Sequence, residues 1–460
     1  MLIKKSKGIT PSEKFLANLA EKTFLNLWSY PNVFKVQNKG KELCDLLVVF
    51  NNHIIVFSDK SIEFKNKNGI DEDWKKWAKK AIVESSNQIF GAERWIKRFP
   101  NRISLDAKGE EKFPFLLPKN EDMIIHRIVL ASFSGNELKK LIGDNNAFII
   151  NPSIIGEEKH LNTPFTVGQI NKEKGFVHIM NETSLEVLMT ELDTISDFTT
   201  YLLEKERFIL SDQLYKAYSE EDLLTAYLEN VDDEEKHSFK FDNKDLKIEI
   251  EKDIWQNHKN SDRYFFKRIE DKASYIWDSM IDRTTYEMLN QRLVEQSLSN
   301  PLELEKVLRI MASENRLNRR SLSKTFLDLF EKYKNIKKEN LMLKRHIFFE
   351  NDTSKIYVFL ITNKPESLDY ESYQNERKLQ LLSYMISLKS KYTEVLDIVG
   401  ISREASMENS ASNDFVYLNG REWTKEDQIE AEKNCYDFNH LEEKNIQRFS
   451  KEEVEYPYIR

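Results

Sequence analysis

A chain of 460 residues is longer than one typical hydrophobic core fills, so two or three domains are expected. Its net charge of -8 excludes a protein that coats nucleic acid with its whole surface, but the charge is uneven. Residues 1–100 hold 18 Lys or Arg against 11 Asp or Glu, a net +7 on an otherwise acidic body. That asymmetry suits a local phosphate-binding surface, although some segment of any chain must be the most basic. Cys44 and Cys435 form no CxxC pair, which excludes a disulfide framework and a thiolate zinc site. No run of eighteen apolar residues occurs, and Met1-Leu2-Ile3-Lys4-Lys5 lacks the apolar core of a signal peptide. No membrane association and a cytoplasmic location are expected.

Only 12 glycines and 10 prolines punctuate the chain, which points to a helix-rich protein. Phe15, Leu16, Leu19, Phe24, Leu27 and Trp28 recur at helical spacing, predicting a helix from Pro11 to Tyr30 with Ser12 as cap and Pro31 as its end. Strands follow near Val33 to Val36, Asp45 to Phe50 and Ile54 to Lys60, the last two joined by a turn at Asn51-Asn52. A long helix is expected from about Asp73 to Phe99, then a strand from Met123 to Phe133. Apolar pieces at 148–150 and 176–179 would complete a mixed sheet. Residues 183–203 and 219–228 read as helices, the second opening on a Ser219-Glu220-Glu221-Asp222 cap. An acidic turn at 232–235 precedes an alternating strand at 246–250, and helices run from about Phe265 to Lys344. A strand at 356–361, a helix at 370–391, a polar loop at 407–413 and a strand at 415–418 follow. The expected fold is α/β, with domains at 1–182 (mixed sheet flanked by helices), 183–345 (mainly helical) and 346–460 (α/β).

Asp45 opens a strand, Leu46-Leu47-Val48-Val49-Phe50, so apolar that it must be buried. A carboxylate at such a position caps a helix, pairs with a base or binds a cation. Lys60 closes the neighbouring strand and supplies the positive charge that phosphodiester hydrolysis uses beside a metal. Glu21, mid-helix in Leu19-Ala20-Glu21-Lys22, would add a carboxylate to a magnesium site or lie in solvent. On the 73–99 helix Gln88 sits about 80° from the centre of the apolar stripe, aimed along the sheet edge.

Together Glu21, Asp45, Lys60 and Gln88 resemble the PD-(D/E)xK, or restriction-endonuclease-like, nuclease superfamily over roughly the first hundred residues. The resemblance implies Mg²⁺-dependent hydrolysis of DNA, with Mn²⁺ as a substitute, and suggests bacterial defence against foreign DNA. Glu21, Asp45 and Asp59 would be the metal ligands, and Asp45, Ser58, Asp59, Lys60 and Gln88 the catalytic set. The chain departs from the pattern two residues before Lys60, where the family has an acid and this sequence has Ser58. Either a bulge turns Asp59 onto the site, or Ser58 is tolerated, or the fold persists without catalysis. A literal E-x-K at Glu63-Phe64-Lys65 lies beyond the apolar run. The competing expectation is a non-catalytic nucleic-acid-binding or assembly protein on the same fold. DNA and RNA are not separated by the sequence, and a protein partner or a homo-oligomer is open.

No Walker-type loop, HExxH or GxSxG motif is present, and the eight histidines are read as scattered. Arg316, Arg319, Arg320 and Lys324 form a basic cluster, read as a second nucleic-acid contact or a solvated helix junction.

Overall fold

The computed structural model describes residues 5–37, 40–134, 148–231, 236–240, 247–289, 301–336, 341–405, 413–437, 441 and 450–457. The chain divides between Phe266 and Lys267 into two units, both mixed α/β. The divisions expected at 182/183 and 345/346 fall elsewhere, because the middle helices are shared between two cores rather than forming a third. Among the described residues no helix is long and apolar enough to cross a membrane.

In the first unit α1 (Pro11–Trp28) is capped by Thr10, not Ser12. The Thr10 hydroxyl accepts the Glu13 N–H at 3.2 Å, the Glu13 carboxylate accepts the Thr10 N–H at 3.4 Å, and Pro11 fills the first turn. Ser12 thus sits inside the helix, free to reach the sheet. Of the expected stripe Leu16, Phe24, Leu27 and Trp28 are buried and Phe15 and Leu19 half-buried, while Ala17 and Ala20 join the buried side. The strand β1 (Ser29–Lys35) starts at once and contains Pro31. It tolerates proline because β4 (Ile103–Ser104) pairs only with Phe34 and Lys35, leaving Pro31 unpaired on that side.

β2 (Glu42–Phe50) and β3 (His53–Glu63) form the expected hairpin, closing at Phe50 opposite His53 with Asn51 in the left-handed region at φ 52°. Every residue from Ile54 to Phe57 is fully buried, each contributing roughly 1.5–3 kcal/mol. The expected 73–99 helix is α2 (Ile70–Ala78), a π-helical segment Lys79–Glu84 and α3 (Ser85–Arg98). It crosses over to β5 (Ile124–Ser134), which runs parallel to β3 without a register shift.

The piece expected at 148–150 does not join this sheet. It begins β6 (Ile149–Ile155), which with α4 (Glu157–Asn162), β7 (Thr166–Gln169), β9 (Leu214–Ala217) and β10 (Ile248–Ile250) builds a second sheet of order β10-β9-β6-β7. The first sheet instead ends on β8 (His178–Met180), giving β4-β1-β2-β3-β5-β8. The helix expected at 183–203 is two, α5 (Glu182–Glu191) and α6 (Ile195–Leu210), each with its own side-chain cap, Asn181 and Thr194. Ser219 caps α7 (Glu220–Glu229) as expected, and α8 (Ile254–Lys259) follows. The acidic turn at 232–235 and the loop at 407–412 lie outside the described residues.

The helix α9 (Asp262–Asp271) crosses the division. In the second unit α10 (Tyr275–Leu289), α11 (Pro301–Ala312) and α12 (Arg316–Asn335) precede a sheet of order β11-β12-β13-β14, formed by Met342–Phe349, Asp352–Thr362, Asp397–Glu404 and Asn413–Asn419. The helix α13 (Tyr370–Lys391) is the crossover that makes β13 parallel to β12, and α14 (Lys425–Asp437) packs on it. Arg316, Arg319 and Arg320 form neither a solvated junction nor a surface patch: they are buried in ion pairs with Asp278 and Asp271.

Candidate active site

The β2–β3 ladder stops at Leu46 opposite Phe57, while β3 continues beside β5 to Glu63 and β2 continues beside β1 to Glu42. The hairpin opens into a fork at this point. In place of the next backbone bond, the Asp59 N–H donates to Oδ2 of Asp45 at 2.7 Å. Continuing the register sets Asp45 opposite Ser58, and strand alternation puts Ser58 and Lys60 on one face. That face looks at α3, where the Ser58 hydroxyl donates to Gln88 Oε1 at 3.5 Å. The π-helical segment shifts the phase between α2 and α3, so positions computed from one straight helix do not hold beyond Glu84.

The other face looks at α1. Phe57 meets the Phe24 ring at 6.5 Å between centroids, and the Ser12 hydroxyl donates to Oδ2 of Asp59. With the β3–β5 register unbroken from His53 to Glu63, there is no bulge to turn Asp59 across. The structure therefore brings Asp45, Ser58, Lys60 and Gln88 to one face and places Asp59 on the opposite one.

Glu21 does not reach the fork. It is exposed on α1, and its charge acts on Lys5, whose ammonium donates to the carbonyls of Asn26 and Ser29 where α1 loses helical geometry at Leu25. Burial lowers Lys5 to about 7, with Glu21 opposing. Glu63 ends β3 exposed and pairs with Lys65 at 2.6 Å, so that E-x-K lies outside the core.

Asp45 is 6 % exposed, and burial raises its pKa to about 7, against the opposing Asp59 N–H and Lys60 charge. Burial likewise raises Asp59 to about 6, opposed by the Ser12 hydroxyl. Two adjacent desolvated carboxylates are what a site that binds a cation or moves protons requires, although structural networks shift pKa values too. Among the described residues no three His, Cys, Asp or Glu side chains are gathered as a ready-made metal cage. A cleft of about 620 Å³ opens near the amino end of β5, lined by Met123, Ile125, Arg127, Leu203 and Glu206. It does not coincide with the fork, where the titratable chemistry lies.

The histidines are less scattered than the sequence suggests. His53 Nδ1 and His126 Nε2 lie 2.9 Å apart, so one ring donates and the other accepts. Their pairing rests on which strands are neighbours, which spacing does not reveal. Burial lowers His126 to about 3, with His53 and Arg127 adding to it. The folded pKa is below the unfolded value near 6.5, so the unfolded chain binds more protons and stability falls as pH drops from about 6.5 toward 3. The slope is about 1.4 kcal/mol per pH unit for this group. Melting temperatures measured from pH 7 to 4 are expected to show it, and His126→Gln to flatten it; an unchanged slope in the variant would refute the assignment.

The class defined by these strands is a mixed α/β protein whose first sheet carries an acidic fork. Comparison with known proteins finds no matching family model, no matching curated protein and no matching solved structure.

Proposed function

We propose that the first unit is a Mg²⁺-dependent nuclease that hydrolyses DNA phosphodiesters, the activity implied by the resemblance of Asp45, Lys60 and Gln88 to PD-(D/E)xK enzymes. The observation that carries this reading is the fork, which sets Asp45, Ser58 and Lys60 on one face beneath Gln88. A bound divalent ion would polarise the scissile phosphoryl group and acidify a water. Its donors fit a hard cation: the Asp45 carboxylate with the Ser58 hydroxyl, all oxygen. Lys60 would stabilise charge developing on the phosphoryl oxygens, and Gln88 would orient Ser58. A cytoplasmic location and a role in defence against foreign DNA accompany this reading.

The experiment is cleavage of supercoiled plasmid with and without Mg²⁺ or Mn²⁺, with a matched RNA as the second substrate. Metal-dependent nicking supports the reading, and no cleavage under any metal sinks it.

Ser58 favours a second reading, a nucleic-acid-binding protein that keeps the fold without cutting. The missing carboxylate reduces the charge available to a metal. Ser58→Asp is therefore expected to strengthen Mg²⁺ binding about tenfold, since ligand charge count tunes affinity in such sites. A Mg²⁺ titration of the cleavage rate measures this. If the variant requires as much metal as the parent, Ser58 does not stand at the ligand position.

A further inference from the structure

On the face turned away from Ser58 and Lys60 the first sheet carries two further acids, Asp59 on β3 and Glu182 just past the end of β8. Sheet register sets Asp59 beside Leu130 and Leu130 beside Met180. At about 4.8 Å per strand, Met180 stands roughly 10 Å from Asp59. Glu182 begins α5 two residues beyond Met180, and α5 packs on both α1 and β5.

Asp59 is 8 % exposed. One oxygen takes the Ser12 hydroxyl, and the other, Oδ1, is buried without a hydrogen-bond partner. Ser132, two residues past Leu130 and therefore on the same face of β5, is also buried with an unpartnered hydroxyl. Glu182 is half-buried, its charge acts on Asp59, and among the described residues it makes no ion pair. Asp45 lies on the opposite face, and Glu13, whose charge also acts on Asp59, is already committed to the Ile9 and Thr10 N–H groups and the Asn32 amide.

A buried carboxylate oxygen with no partner is costly, and a like charge nearby makes it more so. A doubly charged cation removes both costs.

We propose that Asp59 and Glu182 hold a divalent metal ion of the magnesium type, with a hydroxyl from Ser12 or Ser132 and water completing its shell. Magnesium is commonly held by one or two carboxylates plus water, and an all-oxygen donor set selects it over zinc. This site is separate from the nuclease reading and does not depend on it. Because the Asp59 N–H also holds Asp45, an ion there braces the strand that presents Ser58 and Lys60.

Mn²⁺ binding followed by electron paramagnetic resonance on the full chain tests the proposal, with Asp59→Asn, Glu182→Gln and Asp45→Asn compared at matched circular dichroism. The expected result is a bound-Mn²⁺ class weakened at least tenfold by Asp59→Asn and by Glu182→Gln and retained in Asp45→Asn. It is overturned if no Mn²⁺ binds at millimolar concentration, if Glu182→Gln leaves all binding intact, or if Asp45→Asn removes the same class. Plasmid cleavage is scored separately, so loss of nuclease activity in Asp45→Asn with this Mn²⁺ class intact tells the two sites apart.

Discussion

Asp45→Asn is expected to reduce Mg²⁺-dependent plasmid cleavage by on the order of 10³-fold while raising stability above pH 7. The first effect follows from removing the carboxylate that faces Ser58 across the fork; losing a charge-stabilising group in a preorganised site typically costs about 10²–10³-fold. The second follows from linkage. Burial lifts Asp45 to about 7, above its unfolded value near 3.8, so the folded state binds the extra proton between those limits. Stability from that proton is present below the unfolded value and is lost as pH rises through about 7, where a bare carboxylate must ionise in a site only 6 % exposed. Asparagine keeps an acceptor for the Asp59 N–H and never ionises. The gain is on the order of 2–4 kcal/mol at pH 8 without metal and vanishes near pH 4. Lys60, partly exposed and without a hydrogen bond or ion pair among the described residues, supplies the contrast. Lys60→Ala is expected to lose cleavage with stability changed by no more than about 0.5 kcal/mol. Cleavage rates and melting temperatures at pH 4, 6 and 8 decide this; an Asp45→Asn protein that cuts at the parental rate would end the nuclease reading.

The largest stability effect is expected at Arg320, in the second unit. Its side chain is fully buried. It donates to Asp271 at 3.1 Å and to the carbonyls of Val454 and Glu455, and the Glu453 carboxylate lies 2.9 Å from Nε outside hydrogen-bond geometry. Lys267 pairs with Asp271 at 2.6 Å, and Lys324 pairs with Glu453, so the guanidinium is the centre of a network that fastens residues 453–455. Removing it leaves buried carboxylates and carbonyls uncompensated, a loss of about 3–5 kcal/mol. Arg320→Ala is thus expected to lower the melting temperature by roughly 10 °C and to expose the 450–457 segment to protease. Arg320→Lys should rescue little, since an ammonium cannot bridge two carbonyls and a carboxylate in one plane. A variant melting within 2 °C of the parent would show the network to be dispensable.

This cluster also shows where sequence reading fails. Four basic residues within nine positions read as a surface feature, because their partners Asp271, Asp278 and Glu453 lie from about forty to more than a hundred residues away in the chain. Burial of a charge is decided by its partner, and the partner is set by topology. Glu21 fails for a related reason: which flank of a helix meets solvent depends on what packs against it, and Glu21 lies on the exposed side of α1. The hairpin succeeds because its information is local. An apolar run, a two-asparagine turn and a second apolar run fix which residues face each other, and the departure at Ser58 is visible before any coordinates.

The sequence by itself determined the hairpin, the cap at Ser219, the approximate bounds of the 370–391 helix, and the placing of Asp45 at the end of the hairpin that carries Lys60. These rest on alternation and short-range hydrogen bonding, which operate within a few residues. Only the tertiary structure decided that no bulge turns Asp59 toward Lys60, that Glu182 follows a strand two places from Asp59 in the same sheet, and that the expected middle region is divided between two cores. Those outcomes depend on which strands become neighbours, a choice made by burial over the whole unit rather than by any segment of it.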